Sequence, residues 1–279
     1  MTYRPLTKAL PDGDVSQSLL PNDDGDSWAE FAQVFRNTVS PLPAWAEVFE
    51  PLRTSTVDDL TVVAQVGQSL DGRIATASGH SHYINGPAGI THLHRLRSLV
   101  DAVVVGVGTV LADDPQLTVR RCAGPHPVRV VLDPNGRLPA SAKVFAGDGI
   151  RRLWVTAEGT KSVAPAGVEV VALPATDGCI TPATVLAALA ERGLRRILVE
   201  GGANTVSRFL AAGCLDRLHV TVAPVIFGSG RPGFILPPVA RADQALRTPM
   251  RSYQLDDEVL FDCDLSAQRL PVGRAKIST

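Results

Sequence analysis

From Leu60 onward short apolar runs alternate with amphipathic stretches, and this alternation most limits what the chain can fold into. Residues 60–66, 102–106, 128–132, 153–156, 168–171, 196–200 and 218–226 read as strands. Strands separated by helices build a mostly parallel sheet covered on both faces. Asn85 and Pro87 supply N-cap and N1 signals for a helix running to Leu99. Thr181 and Pro182 open a second helix that Gly193 closes, and residues 203–212 form a third. Residues 251–255 and 259–264, around Asp256 and Asp257, read as a hairpin. The expected fold class is α/β, a mostly parallel sheet flanked by helices with a C-terminal antiparallel hairpin. Ligands of such sheets lie outside the carboxyl ends of the strands.

The first 57 residues read differently. Residues 11–26 are acidic and rich in turn formers, which suits a mobile arm. Ser27 and Glu30 then have capping-box spacing ahead of an apolar stripe of Trp28, Phe31, Ala32 and Phe35. Pro41 and Pro43 end that helix, and a second amphipathic turn carries Trp45, Val48 and Phe49. Such a segment cannot bury its own stripe, so it must dock on the main body or on a partner subunit, and the main body is the expected site.

Net charge is −1, from 27 basic and 28 acidic residues. That balance excludes a broad basic surface for nucleic acid or anionic lipid, though not a local anion pocket. The longest uncharged apolar stretch, 102–112, is far short of the roughly 20 residues of a membrane span. No secretory signal order is present at the start, and the four scattered cysteines have no CxxC spacing. Reduced thiols and a cytoplasmic location follow as expectations.

Five segments carry candidate chemistry. Glu200-Gly201-Gly202-Ala203-Asn204-Thr205 joins a buried strand to a helix, where free amides and the helix dipole suit a pyrophosphate. Gly106-Val107-Gly108-Thr109 follows another buried strand and is either a second wall of that site or a helix-opening turn. Gly228–Gly233 matches G-x-G-x-x-G, but Pro232, Pro237 and Pro238 forbid the helix a dinucleotide fingerprint requires, so it reads as a shaped loop. Asp113-Asp114-Pro115-Gln116-Leu117-Thr118-Val119-Arg120 combines paired acids with an arginine able to grip phosphate, or is a polar turn capped by Asp. Residues 67–83 form a connection too long for a tight turn, which suits a lid. His80, His82, His92 and His94 lack zinc-ligand spacing, so no metal is expected; a hydrolase nucleophile elbow is also missing.

The order Ser69-Leu70-Asp71-Gly72, Leu96-Arg97, Gly106-Val107-Gly108-Thr109, Asp113–Arg120, Glu200-Gly201-Gly202 and Ala223-Pro224 resembles the pyrimidine reductase domain of riboflavin biosynthesis. This is the C-terminal half of a bifunctional deaminase/reductase, and the resemblance covers roughly Leu60 to Asp264. It implies a dihydrofolate-reductase-like fold, NADPH as cofactor, a homodimer, and a small-molecule substrate. The implied reaction takes 5-amino-6-(5-phosphoribosylamino)uracil to its ribitylamino form. Ser81, Asn85, Arg97, Leu117, Arg120 and Glu200 are the implied substrate contacts, with Arg97 and Arg120 on the 5′-phosphate and Glu200 on the pyrimidine edge. Gly67, Ser69, Tyr83, Gly106, Thr109, Asp113, Asp133 and Gly201 through Thr205, including Gly202, Ala203 and Asn204, are the implied cofactor contacts. Asp113 is the candidate proton relay, and Arg137 is added for the 2′-phosphate. Gln65 joins the substrate set where many members carry a lysine. The expected division is 1–57 as an extension without the deaminase zinc signature, 58–266 as the reductase domain and 267–279 as a tail. Two other readings are a dihydrofolate-type pterin reductase, disfavoured because 87–99 holds no acidic residue, and a non-catalytic NADPH-binding protein.

Overall fold

The computed structural model describes residues 25–36, 41–54, 57–81 and 84–272. In chain order the elements are α1 (Gly25–Phe35), a 3-10 helix (Ala44–Leu52), β1 (Thr61–Ser69), β2 (Arg73–Thr76), α2 (Pro87–Leu99), β3 (Ala102–Gly106), α3 (Val107–Asp113) and β4 (Val128–Leu132). There follow β5 (Arg152–Ala157), β6 (Val168–Leu173), α4 (Pro182–Glu191), β7 (Arg196–Glu200), α5 (Ala203–Ala211), β8 (Arg217–Ala223), β9 (Gly230–Pro232), β10 (Met250–Leu255) and β11 (Glu258–Asp264).

The main sheet has the order β10-β11-β8-β1-β7-β3-β4-β5-β6. From β8 to β6 every neighbour runs parallel, and the β10–β11 hairpin adds to β8 antiparallel. Both faces are apolar, as a covered parallel sheet requires. Val103, Val105, Val131 and Leu198 pack on one face with Trp28, Phe31, Phe35, Phe49 and Leu96. Val104, Val130, Leu153 and Val199 pack on the other with Leu186, Leu189, Val206 and Phe209.

The expected docking of the N-terminal stripe is met. Trp28 and Phe35 are fully buried, and Trp28 Nε1 donates to Ala123 O at 3.0 Å. The Arg95 guanidinium lies 4.8 Å from the Trp28 ring centroid, and Phe49 stacks on His92 at 5.5 Å. The arm residues 11–24 and the Trp45 side chain lie outside the described residues.

Several boundaries differ from the sequence reading. Helix α1 begins at Gly25, so Ser27 is its third residue rather than its cap, and the last two residues assigned to the arm are helical. Asn85 is not the cap of α2; Gly86 holds that position, because the Asn85 amide is engaged by distant partners described below. Strand β8 stops at Ala223 rather than residue 226. Segment 67–83 is not a continuous loop. Strand β1 runs on to Ser69, and Arg73–Thr76 pairs antiparallel with Gly230–Pro232. The Gly228–Gly233 segment therefore contributes a strand, a pairing that spans more than 150 residues and has no local sequence signal. Thr181 does cap α4, its hydroxyl accepting from Thr184 N at 3.2 Å.

Candidate active site

A cavity of about 880 Å³ opens outside the carboxyl ends of β1, β3, β4 and β7. Its position follows the general rule for parallel sheets. One end is built from two glycine-bearing turns. Gly106 leads directly into α3, and Gly202 leads into α5. The two turns are locked together, because Gly202 N donates to Thr109 Oγ1 at 2.8 Å. The reading of Gly106–Thr109 as helix-opening and the reading as a second wall both hold, since these residues start a helix and also line the cavity. Ala203, Asn204 and Thr205 at the start of α5 line the cavity, and of their amides Thr205 N bonds back to Gly202 O, leaving the helix start as a suitable place for an anion.

The other end is built from side chains. Arg97 of α2 meets Glu200 at the tip of β7 as a two-pronged pair, with Nε to Oε1 and Nη2 to Oε2 both at 2.7 Å. Arg97 is 7% exposed and Glu200 5%, so the pair is sealed. Burial disfavours the Arg97 charge, but the Glu200 carboxylate and its hydrogen bonds outweigh that and raise the pKa. Arg97 Nη1 also donates to Thr118 O at 3.0 Å. That carbonyl is presented by Leu117, whose φ of 55° is unusual for a residue with a side chain. The strain sits where Leu117 is buried against the cavity wall.

Arg97 is neutralised by Glu200, while Arg120 and Arg121 lie exposed near it, beside this end of the cavity. Burial first, and then the charges of Arg97 and Arg121, lower the Arg120 pKa. Burial and the same cluster of cations push His94 down to about 3. Asp113 lines the cavity and accepts from Ser81 Oγ at 3.1 Å. Gln65 lines it too, its Nε2 at 3.5 Å from Thr221 Oγ1.

A family model described as the RibD C-terminal domain matches residues 60–261. The chain belongs to this family. The 2,5-diamino-6-ribosylamino-4(3H)-pyrimidinone 5′-phosphate reductase of Methanothermobacter thermautotrophicus is 33% identical over 209 residues, 72% of this chain and 96% of that protein. The riboflavin biosynthesis protein RibD of Aquifex aeolicus is 37% identical over 167 residues, 58% of this chain. The chain matches 46% of the length of that protein and 46% of RibD of Bacillus amyloliquefaciens, so it spans about half of such relatives. A solved deaminase/reductase of Thermotoga maritima superposes with a TM-score of 0.63 at 30% identity, covering 74% of this chain and 56% of that one.

In this RibD C-terminal domain the cavity wall gathers Gln65, Gly67, Ser81, Asn85, Arg97, Gly106, Thr109, Asp113, Leu117 and Glu200 through Thr205. Tyr83 lies outside the described residues. Three expected contacts stand off the wall. Ser69 is buried in its turn, donating to Asp71 Oδ1 at 2.6 Å and accepting from Arg73 N. Asp133 is fully buried and accepts from Leu138 N and Trp154 Nε1, while its neighbours Leu132, Pro134, Asn135 and Arg137 reach the cavity. The Arg120 side chain is exposed beside the cavity, with Nη1 at 2.6 Å from Thr118 Oγ1. Arg208, Phe209 and Arg231 line the wall and were missed by the sequence reading. Arg231 belongs to β9, so only the long-range strand pairing brings it there.

Proposed function

We propose that this chain is the NADPH-dependent reductase that converts 5-amino-6-(5-phosphoribosylamino)uracil to its ribitylamino form in riboflavin synthesis. It acts as a homodimer in the cytoplasm, with residues 58–266 as the reductase unit. The observation that carries this reading is the buried Arg97–Glu200 pair sharing one cavity with the two glycine turns, with Arg120 exposed beside it. A carboxylate held this way keeps its remaining lone pairs for the donor edge of a pyrimidine. The nearby cations suit a sugar phosphate. The activities named for the Methanothermobacter and Thermotoga relatives support the same substrate class, a phosphorylated ribosylaminopyrimidine.

The other end of the cavity fits NADPH. The α5 amides and the bare Gly201–Gly202 backbone leave room for a pyrophosphate. Leu132, Pro134, Ile180 and Phe209 form an apolar slot, with Arg137 and Arg208 at hand for a 2′-phosphate. Bound there, NADPH supplies the hydride. The protein aligns C1′ of the ring-opened imine by gripping pyrimidine and phosphate, which is catalysis by positioning. Reduction of the imine to an amine takes up one hydride at carbon and one proton at nitrogen. Asp113, held by Ser81, or a water beside it relays that proton. Ile74 and Ala75 of β2 and Arg231 and Pro232 of β9 line the cavity, and in this reading that ribbon is the lid that keeps water from the hydride transfer.

The test is absorbance at the nicotinamide band with purified protein, NADPH and the phosphoribosylaminouracil. Steady loss is expected with NADPH and much slower loss with NADH. Folded protein that consumes no NADPH with this pyrimidine would rule the substrate out.

A further inference from the structure

The C-terminal hairpin takes no direct part in the cavity wall, yet one of its side chains controls a group that does. Glu258, the first residue of β11, is 1% exposed. Its Oε2 accepts from Gly89 N at 2.9 Å, in the first turn of α2. Its Oε1 accepts from Asn85 Nδ2 at 2.7 Å. The same Asn85 nitrogen donates to Thr221 O at 3.4 Å. A carboxylate and a carbonyl are both acceptors, so only the NH2 end of the Asn85 amide can face them. The amide orientation is therefore dictated by its surroundings. Asn85 Oδ1 then lies over Gly67, where a Cβ would stand only 1.8 Å away. Asn85 and Gly67 both line the cavity, and Oδ1 has no partner among the described residues.

We propose that Glu258 is a positioning residue that fixes Asn85 Oδ1 as a hydrogen-bond acceptor toward bound ligand. The ligand group is an N–H or O–H donor. It comes from the carboxamide of the nicotinamide or from the amine and hydroxyls of the pyrimidine substrate. The inference rests on the proposed function for the identity of these ligands, though not for the geometry. A neutral glutamine in place of Glu258 presents a donor as well as an acceptor, so the Asn85 amide is free to turn over and offer the wrong end.

The experiment is a double-mutant cycle on binding in the absence of turnover. NADP+ is titrated into the protein, and the phosphoribosylaminouracil is titrated into the NADP+ complex, for wild type, Glu258→Gln, Asn85→Ala and the double variant. Glu258→Gln is expected to weaken one of the two affinities about tenfold, the size of one well-formed hydrogen bond to the Asn85 amide oxygen. Which affinity falls names the source of the donor. The double variant is expected to bind no more weakly than Asn85→Ala alone, because Glu258 acts through Asn85. Additive losses, or unchanged affinities in a folded Glu258→Gln, overturn the proposal.

Asn85→Asp provides a second route. It sets two carboxylates against each other, and adding Glu258→Gln is expected to recover affinity. Failure to recover also counts against the proposal. Wild type that binds neither ligand refutes the proposed function instead. The nitrogen-15 spectrum then decides the geometry: the Asn85 side-chain amide pair shifts in Glu258→Gln if the orientation depends on Glu258, and an unmoved pair overturns it.

Discussion

The two ends of the cavity are made of different material. At the Gly106 and Gly202 end the working groups are backbone amides and the absence of side chains. At the Arg97 and Glu200 end they are buried charged and polar side chains contributed by elements far apart in sequence. Arg97 meets Glu200 across 103 residues, and Asn85 meets Glu258 across 173. The first kind of end tolerates side-chain change away from its turns. The second depends on each partner, because a buried polar group left alone loses hydration without replacement.

The largest expected effect comes from breaking the sealed ion pair. Glu200→Leu leaves the Arg97 guanidinium buried without its counter-charge, at a cost of about 3–5 kcal/mol. Urea unfolding is expected to show that loss, with activity abolished. A loss below about 1 kcal/mol, the scale of a surface pair, would mean water reaches Arg97 and that this end is not sealed.

A pH series probes buried side chains of the same helix, α2, that lie off the cavity wall. His92 and His94 are both buried and both held well below the ordinary histidine value of 6.5. For His92 burial is the main cause, followed by His219 and Arg95, with Asp262 opposing. For His94 burial is followed by Arg97, Arg120 and Arg121, and its ring is needed unprotonated because Nδ1 accepts from Arg120 N at 2.9 Å. Acid therefore loads the unfolded chain with protons before the folded one. The stabilisation is complete above pH 6.5 and falls as pH drops, by up to about 1.4 kcal/mol per unit for each histidine. For His94 the decline continues to about pH 3. Unfolding free energies at pH 7, 6 and 5 should show this slope, and His94→Gln should reduce it. A flat profile would show that these rings are reached by solvent.

The same contrast explains what could be read from the chain. Strands β3, β4 and β7 and the turns after β3 and β7 announce themselves through local runs such as Ala102–Gly106 and Glu200-Gly201-Gly202. Their apolar pattern and glycines act over a few residues, so sequence alone locates them. Asn85 carries a good local cap signal, yet its amide answers to Glu258 and Thr221 and leaves the cap to Gly86. Arg73–Thr76 has no strand signature of its own and becomes β2 only because Gly230–Pro232 lies alongside. Arg97 was assigned to phosphate from its place in a motif, while the structure shows that two prongs of its fork hold Glu200. In each case the deciding partner is more than 100 residues away.

The smallest expected effect belongs to the backbone-built end and isolates what its glycines do. Gly201 has φ of 108°, in the region that disfavours any side chain. A Cβ there would stand 2.7 Å from Thr109 Oγ1 and 3.3 Å from Thr109 Cβ. Thr109 cannot easily move aside, because its hydroxyl holds Gly202 N and so ties α3 to α5. Gly201→Ala should cost about 1–3 kcal/mol of stability from backbone strain and weaken NADPH binding by loosening that tie. Gly202→Ala is the matched comparison. Its φ is −63°, and an added Cβ meets Thr109 Oγ1 at 3.4 Å, an ordinary contact. Melting and NADPH titration of the two variants should separate, with Gly201→Ala affected in both and Gly202→Ala nearly native in melting. Equal melting losses would mean that strain at Gly201 is not what sets the turn, and that the Thr109 hydroxyl contact shared by both positions is.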